Sequence, residues 1–292
     1  MAMPSSEFTD TDTEHHSLIT IIKPKKGWQV VDIKELFRYR DLLLFFVYRD
    51  IKVLYKQTVL GFAWAIINPV FNMLVFNFIG KMGRLAPGNV PYLPFLYVGL
   101  IPWTYFSNSV NMSSQSLITS SQILTKVYFP RLVIPLTPVI SKLVDFAISF
   151  SVLIVLFIVY SNQITINLNI LFLPLLIVLM VIAASGMGLW FSAMAIQYRD
   201  IKYAITFLTQ ILFFLTPIMY PISKFDSFGP VFKFCYSLYP MTGIEEGFRA
   251  CLLGIGPMPW NLLLIGTASS IFIFVSGAFY FARMEKVFAD VA

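Results

Sequence analysis

Charge is scarce in this chain, and so are cysteine and histidine. Only 12% of its 292 residues are Asp, Glu, Lys or Arg, about half the share found in soluble domains. With 58% hydrophobic residues and a mean hydropathy of +0.76, that scarcity argues against a large soluble helical protein and for the membrane class. The two cysteines, Cys235 and Cys251, form no CxxC pair, so a zinc or thioredoxin-type site has no support. The two histidines, His15 and His16, stand in a polar N-terminal stretch and read as solvated rather than metal-bound. No GxxxxGKS/T motif is present, which excludes a P-loop cradle for ATP on this chain. HExxH, GxSxG and paired carboxylates are missing as well, and with them the common hydrolytic sites. Residues 1–27 carry their basic residues late and no apolar run follows, so they read as a flexible cytosolic tail rather than a signal peptide.

Long apolar runs, by contrast, are plentiful. A span needs about 20 mostly apolar residues, and six segments qualify: 61–80, 92–115, 132–160, 170–196, 204–220 and 261–281. The runs are continuous rather than alternating, which means helices and not barrel strands. The fold expected is an all-α membrane protein of six transmembrane helices. Residues 28–60 form an interfacial helix and basic connector, and 61–292 form one transmembrane domain.

Lys and Arg set the orientation. Nine precede the first span: Lys23, Lys25, Lys26, Lys34, Arg38, Arg40, Arg49, Lys52 and Lys56. With that segment in the cytosol, Lys126, Arg131, Arg199, Lys202, Arg283 and Lys286 fall on the same side. Lys81, Arg84, Lys224, Lys233 and Arg249 fall opposite, and Lys142 lies within the third span. Both termini are then cytosolic. The net charge of +6 belongs to topology, and no nucleic-acid partner is needed to explain it. The pentapeptide YRDIK occurs twice, at Tyr48–Lys52 and Tyr198–Lys202, each time on the cytosolic face before an outward-running span. Tyr at headgroup level with snorkelling Arg and Lys accounts for that placement.

Three other features carry information. Residues 32–48 place Ile33, Leu36, Phe37, Leu43, Leu44 and Val47 at helical spacing, as in an amphipathic interfacial helix that either anchors the chain or docks a cytosolic partner. Between spans two and three, Ile123, Leu124, Val127 and Tyr128 alternate with Thr125 and Lys126 before Pro130, as in a short cytosolic helix. In the outer loop between spans five and six, Met241, Ile244, Phe248 and Leu252 share one helix face, and Glu245 and Arg249 stand in i,i+4 order. A Cys235–Cys251 disulfide is compatible with that side of the membrane.

Within the spans, Trp64, Asn68, Asn72 and Phe76 recur every four residues, and Thr104, Asn108, Asn111 and Gln115 form a second polar stripe. Such stripes are either interhelical contacts or the lining of a path for an uncharged polar solute such as a glycan. Asp145 is the one carboxylate clearly inside a span, and Lys142 is placed to pair with it.

The segments RYRDLLLFFVYRDIKVLYKQTVLGFAWAIINP, GLIPWTYFSNSV, ILTKVYFPRLVIP, YRDI, YPISK and EKVFAD, in this order, resemble the membrane subunit of type-2 ABC exporters. The branch is the one that exports lipid-linked polysaccharide: O-antigen, capsule and teichoic acid. The resemblance runs from about Lys34 to the C-terminus. It implies a homodimer in the bacterial inner membrane, working with two copies of a separate ABC ATPase that holds ATP and Mg. This chain itself would hold no cofactor and catalyse nothing. By the same resemblance Gln122, Thr125, Lys126, Tyr128 and Arg131 belong to a coupling helix against the ATPase. Arg49, Asp50, Lys52 and Lys56 either sit near the nucleotide-binding subunit or, with Arg199, border the cytosolic entrance, where a lipid pyrophosphate would bind. Trp64, Asn68, Asn72, Phe76, Asn108 and Asn111 line the channel, and Glu245, Phe248 and Arg249 belong to an outer gate. The alternatives are a permease of the same type for teichoic acid, capsule, lipid or drug, and an ATP-independent secondary transporter, which a single buried acid disfavours.

Overall fold

The computed structural model describes residues 37–56, 61, 63–82, 90–124, 126–164 and 167–285. Every regular element among them is helical. In chain order they are α1 (Arg40–Lys56), α2 (Ala63–Met82), α3 (Tyr92–Thr119), the single turn α4 (Ser121–Leu124), α5 (Val133–Val159), α6 (Leu173–Gln197) and α7 (Ile201–Leu215). Then come α8 (Pro230–Ser237), α9 (Pro240–Leu252) and α10 (Trp260–Met284). A 3-10 segment, Leu168–Phe172, leads into α6, and another, Ile222–Phe228, precedes α8.

Four stretches are long and apolar enough to cross a membrane: Ala63–Lys81, Val133–Val159, Leu168–Gln197 and Trp260–Met284. Helix α3 has the length, at 28 residues, but its Tyr, Ser and Asn residues dilute its apolar character. Those polar groups are affordable because α3 is the hub of the bundle, packed against α2, α5, α6, α7 and α9. Its Phe95, Leu96, Tyr97, Tyr105 and Phe106 are buried, and the Tyr hydroxyls donate to main-chain carbonyls of α5: Tyr97 to Ser149 at 3.0 Å and Tyr105 to Val139 at 2.9 Å. Helix α7 has only 15 residues, roughly 22 Å. It ends at Leu215 because Pro217 cannot continue it.

Two details explain the tightness of the bundle. Pro69 inside α2 has no N–H to give to the Ala65 carbonyl, and Ser149 of α5 donates to that carbonyl instead, at 3.1 Å. Helices α6 and α10 meet at Gly186 and Gly277: a Cβ on Gly186 would lie 2.7 Å from the Phe274 backbone, and one on Gly277 would lie 2.6 Å from the Gly186 carbonyl. Small residues at a crossing are how helices approach closely in lipid. Trp190 and Tyr280 stack beside the crossing, 4.6 Å between ring centroids.

The helix expected to lie at the membrane interface, over residues 32–48, has different bounds. It runs over Arg40–Lys56 and so contains the whole of the first YRDIK rather than ending at its Tyr48; residues 32–36 lie outside the described ones. The helix continues because Phe46, Val47, Ile51 and Leu54 keep an inward stripe, with Phe46 and Val47 buried. The second YRDIK forms a turn: Tyr198 ends α6 and Ile201 starts α7.

Candidate functional site

At one end of the bundle α1 lies across the start of α5. Phe46 meets Phe129 edge-on at 5.7 Å, and the Arg49 guanidinium covers the Phe46 ring at 4.8 Å. Arg49 donates to Asp50 Oδ1 from Nε at 3.0 Å and from Nη2 at 2.8 Å. Between α1, α3 and α5 opens a cleft of about 450 Å³, lined by Arg49, Asp50, Gln115, Ser116 and Thr119 among others. Of the expected entrance residues, Arg49 and Asp50 therefore share one cleft. Lys52 and Lys56 are exposed on α1, Lys52 lying 5.6 Å from the Tyr48 ring centroid. Arg199 is exposed in the α6–α7 turn and does not line the cleft.

The expected coupling segment is helical only as far as Leu124. Gln122 is exposed in α4, Lys126 and Tyr128 are exposed beyond it, and Thr125 lies outside the described residues. Arg131 donates from Nη1 to the Glu285 carbonyl at 3.1 Å, tying this segment to the end of α10. A cation there suits the negative end of a helix dipole.

Farther into the bundle Leu54 separates the cleft from a second cavity of about 290 Å³, since it lines both. The end of α1, α2, α3 and α5 line this half-open cavity, which contains Tyr55, Trp64, Asn68, Asn108, Lys142 and Asp145. Lys142 Nζ stands 2.7 Å from Asp145 Oδ2, and Tyr55 donates its hydroxyl to Asp145 Oδ1. The Lys–Asp pairing was legible from the i,i+3 spacing; Tyr55, 90 residues away, was not.

The expected channel residues divide. Trp64, Asn68 and Asn108 line the cavity. Asn72 is exposed farther along α2, and Phe76 is half-buried with its ring 5.1 Å from Phe213 of α7. Asn111 is a helix contact: its amide donates to the Ser107 carbonyl at 2.8 Å and to Thr209 of α7 at 3.3 Å.

At the opposite end α8 and α9 close over the bundle. Phe248 is buried, with its ring edge-on to Phe146 at 6.2 Å. Arg249 is wholly buried, and it pairs with Glu246 at 2.9 Å rather than with Glu245. This corrects the i,i+4 expectation. The guanidinium also donates to the Ile218 carbonyl at 2.8 Å and the Tyr220 carbonyl at 3.3 Å, and Glu246, which accepts from the Ile222 N–H at 3.1 Å, shares that side. Both carboxyl oxygens of Glu245 are buried without a hydrogen-bond partner among the described residues. Burial pushes this carboxyl well above its ordinary 4.5; Arg249 opposes the shift and Glu246 adds to it. Cys235 and Cys251 are free thiols, and Cys251 is buried against the Asn169 carbonyl, with Sγ at 2.9 Å.

The described residues form an all-helical bundle with four stretches long and apolar enough to cross a membrane, as in a multi-pass membrane protein. Residues 41–253 match the ABC-2 type transporter family, and the chain belongs to that family: a multi-pass membrane protein and transport subunit, without a catalytic role of its own. The "O-antigen export system permease protein RfbA" of Myxococcus xanthus is 27% identical over 87% of this chain and 96% of its own length. A protein of the same name from Klebsiella pneumoniae is 29% identical over 86% of this chain and 95% of its own length. The "Polysialic acid transport protein KpsM" of Escherichia coli is 25% identical over 82% and 92%.

Proposed function

We propose that the chain is the transmembrane subunit of an ATP-driven exporter that moves polyprenyl-pyrophosphate-linked polysaccharide of the O-antigen type out of the cytosol. The relatives named for O-antigen export support the substrate class. The observation that carries the reading is a set of amides, Asn68, Asn72 and Asn108, exposed on α2 and α3 of a largely apolar bundle. Lipid penalises such groups, whereas a hydrated glycan satisfies them.

In this reading the complex contains two copies of the chain and two of a separate ATPase, which binds ATP and Mg, in the bacterial inner membrane. Six helices span it: α2, α3, α5, α6, α7 and α10. Both termini are cytosolic, so the α1 end faces the cytosol. The pyrophosphate is recruited at the rim of Arg49, Lys52 and Lys56, and the coupling segment from Gln122 to Arg131 meets the ATPase. ATP binding re-tilts α2 or parts the two copies, and the polymer threads between them. Weak repeated contacts suit this task, because a deep well would stall the polymer. The α8–α9 cap, with Glu245, Phe248 and Arg249, is the outer gate.

The test is co-purification of the tagged chain expressed with its neighbouring genes, together with detection of cell-surface glycan. A stoichiometric P-loop protein whose ATPase rate changes on assembly, and glycan that disappears when the chain is deleted, are the expected results. A chain that purifies alone and moves solute in liposomes without ATP would sink the reading.

A further inference from the structure

The half-open cavity lined by the end of α1, α2, α3 and α5 differs from the neighbouring cleft in size and in hydrogen-bonding capacity. At about 290 Å³ it stands at the lower limit of small-molecule sites, roughly 300–1,000 Å³. That volume suits one ring. Its lining has two charged groups, Lys142 and Asp145, and they neutralise each other at 2.7 Å. An anion entering the cavity gains no net attraction and must compete with Asp145 for the ammonium.

A neutral polyol faces no such conflict. Each Asp145 oxygen keeps a second acceptor site after binding Lys142 or Tyr55, and Lys142 has N–H donors beyond the one given to Asp145. The side chains of Asn68 and Asn108 have no hydrogen-bond partner among the described residues, so each offers a donor and an acceptor. Trp64, 47% exposed, presents an apolar ring face. Hydroxyls that both donate and accept, carried on a ring with apolar C–H faces, match this set.

We propose that this cavity binds a single pyranose ring, and that it discriminates against the pyrophosphate, for which the exposed Lys52 and Lys56 beside the Arg49–Asp50 pair supply the net positive charge that the cavity lacks. The proposal rests on the glycan-export reading and refines it: the sugar and phosphate parts of one substrate are read at separate positions, on either side of Leu54.

The test is saturation-transfer NMR on the full chain with its co-purified ATPase in nanodiscs. The probes are methyl glucopyranoside, mannopyranoside, galactopyranoside and rhamnopyranoside, with sodium pyrophosphate as competitor. At least one glycoside should receive saturation, and pyrophosphate should not displace it. Trp64→Leu and Asp145→Asn should each weaken binding about tenfold, equivalent to roughly 1.4 kcal/mol. Trp64→Leu leaves the ion pair intact, so it gives an answer even if Asp145→Asn fails to assemble. No transfer to any glycoside, unaltered binding in Trp64→Leu, or displacement by pyrophosphate overturns the proposal. Surface glycan is measured in the same strains. Export without glycoside binding overturns the subsite alone, whereas no export by the wild-type chain overturns the reading on which it rests.

Discussion

The guanidinium of Arg249 lies 3.9 Å from the centroid of the Phe95 ring. Helix α9 is thereby fastened to the hub helix α3 by a cation over an aromatic face, while the same side chain holds the Ile218 and Tyr220 carbonyls and Glu246. A single residue fixes the link after α7, the cap and the hub. Arg249→Ala takes the guanidinium away from two carbonyls and a carboxylate, leaving Glu246 only the Ile222 N–H, and should cost about 3–5 kcal/mol. Arg249→Lys should recover only part of it, because an ammonium lacks the planar fork. Thermal unfolding of the purified chain measures both, and an unshifted midpoint for Arg249→Ala would refute the role.

Glu245 is the counterpart that is not satisfied. Its carboxyl titrates well above 4.5 because it is buried. At low pH it is protonated in both folded and unfolded chains. As pH rises past 4.5 the unfolded chain releases this proton while the folded chain retains it, so stability falls until the folded-state value is passed. Glu245→Gln should flatten this dependence and raise the unfolding midpoint at neutral pH. A decline with pH as steep as that of the wild-type chain would count against it.

These two residues also show what a linear sequence hides. GIEEGFR offers Arg249 a partner at i−4 and another at i−3, and both spacings are sound on an isolated helix. The choice is made by the Ile218 and Tyr220 carbonyls, which come from the link after α7. The repeated YRDIK makes the same point for secondary structure. Preceded by LLLFFV it continues a helix; after Gln197, where α6 ends, it turns. Four of the six apolar runs and the Lys142–Asp145 pair were legible because each depends on composition or spacing within one helix. Tyr55 on Asp145, Phe46 on Phe129 and Arg131 on the end of α10 were not, since each joins distant segments.

The α6–α10 crossing predicts a sharp steric limit. Gly186→Leu must push a side chain into the Phe274 backbone, already 2.7 Å from a mere Cβ. Overpacking of this kind costs about 1–3 kcal/mol or more. Gly229→Ala, where a Cβ meets nothing within 4 Å and the cost comes only from φ +88°, is the comparison. Gly186→Leu should lower the yield of folded chain in membranes far more than Gly229→Ala, as read by fluorescence size-exclusion chromatography. Equal yields would remove the crossing as a constraint.

At the α1 rim, Arg49→Ala with Lys52→Ala should reduce surface glycan at least tenfold, about the effect of losing one charge-assisted contact to phosphate. Assembly with the ATPase should survive, since Lys52 is exposed and Arg49 is bonded chiefly to its neighbour Asp50. Unchanged export, measured on the same cells as the pulldown, would take the rim out of the entrance.

Ser149 and Pro69 should be coupled although they do not bond to each other. Pro69 frees the Ala65 carbonyl, and Ser149 satisfies it from the neighbouring helix. In the wild-type background Ser149→Ala leaves that carbonyl without its donor, at a cost of about 1–3 kcal/mol. In a Pro69→Ala background the new N–H of residue 69 can close the ordinary helical bond to Ala65, so the same Ser149→Ala change should cost much less. The four proteins form a double-mutant cycle, and the coupling is the difference between the two costs. Equal costs in both backgrounds would show that the hydroxyl acts elsewhere. A large coupling would establish that a proline inside α2, which ought to weaken the helix, instead binds it to α5 beside the cavity that Lys142 and Asp145 line.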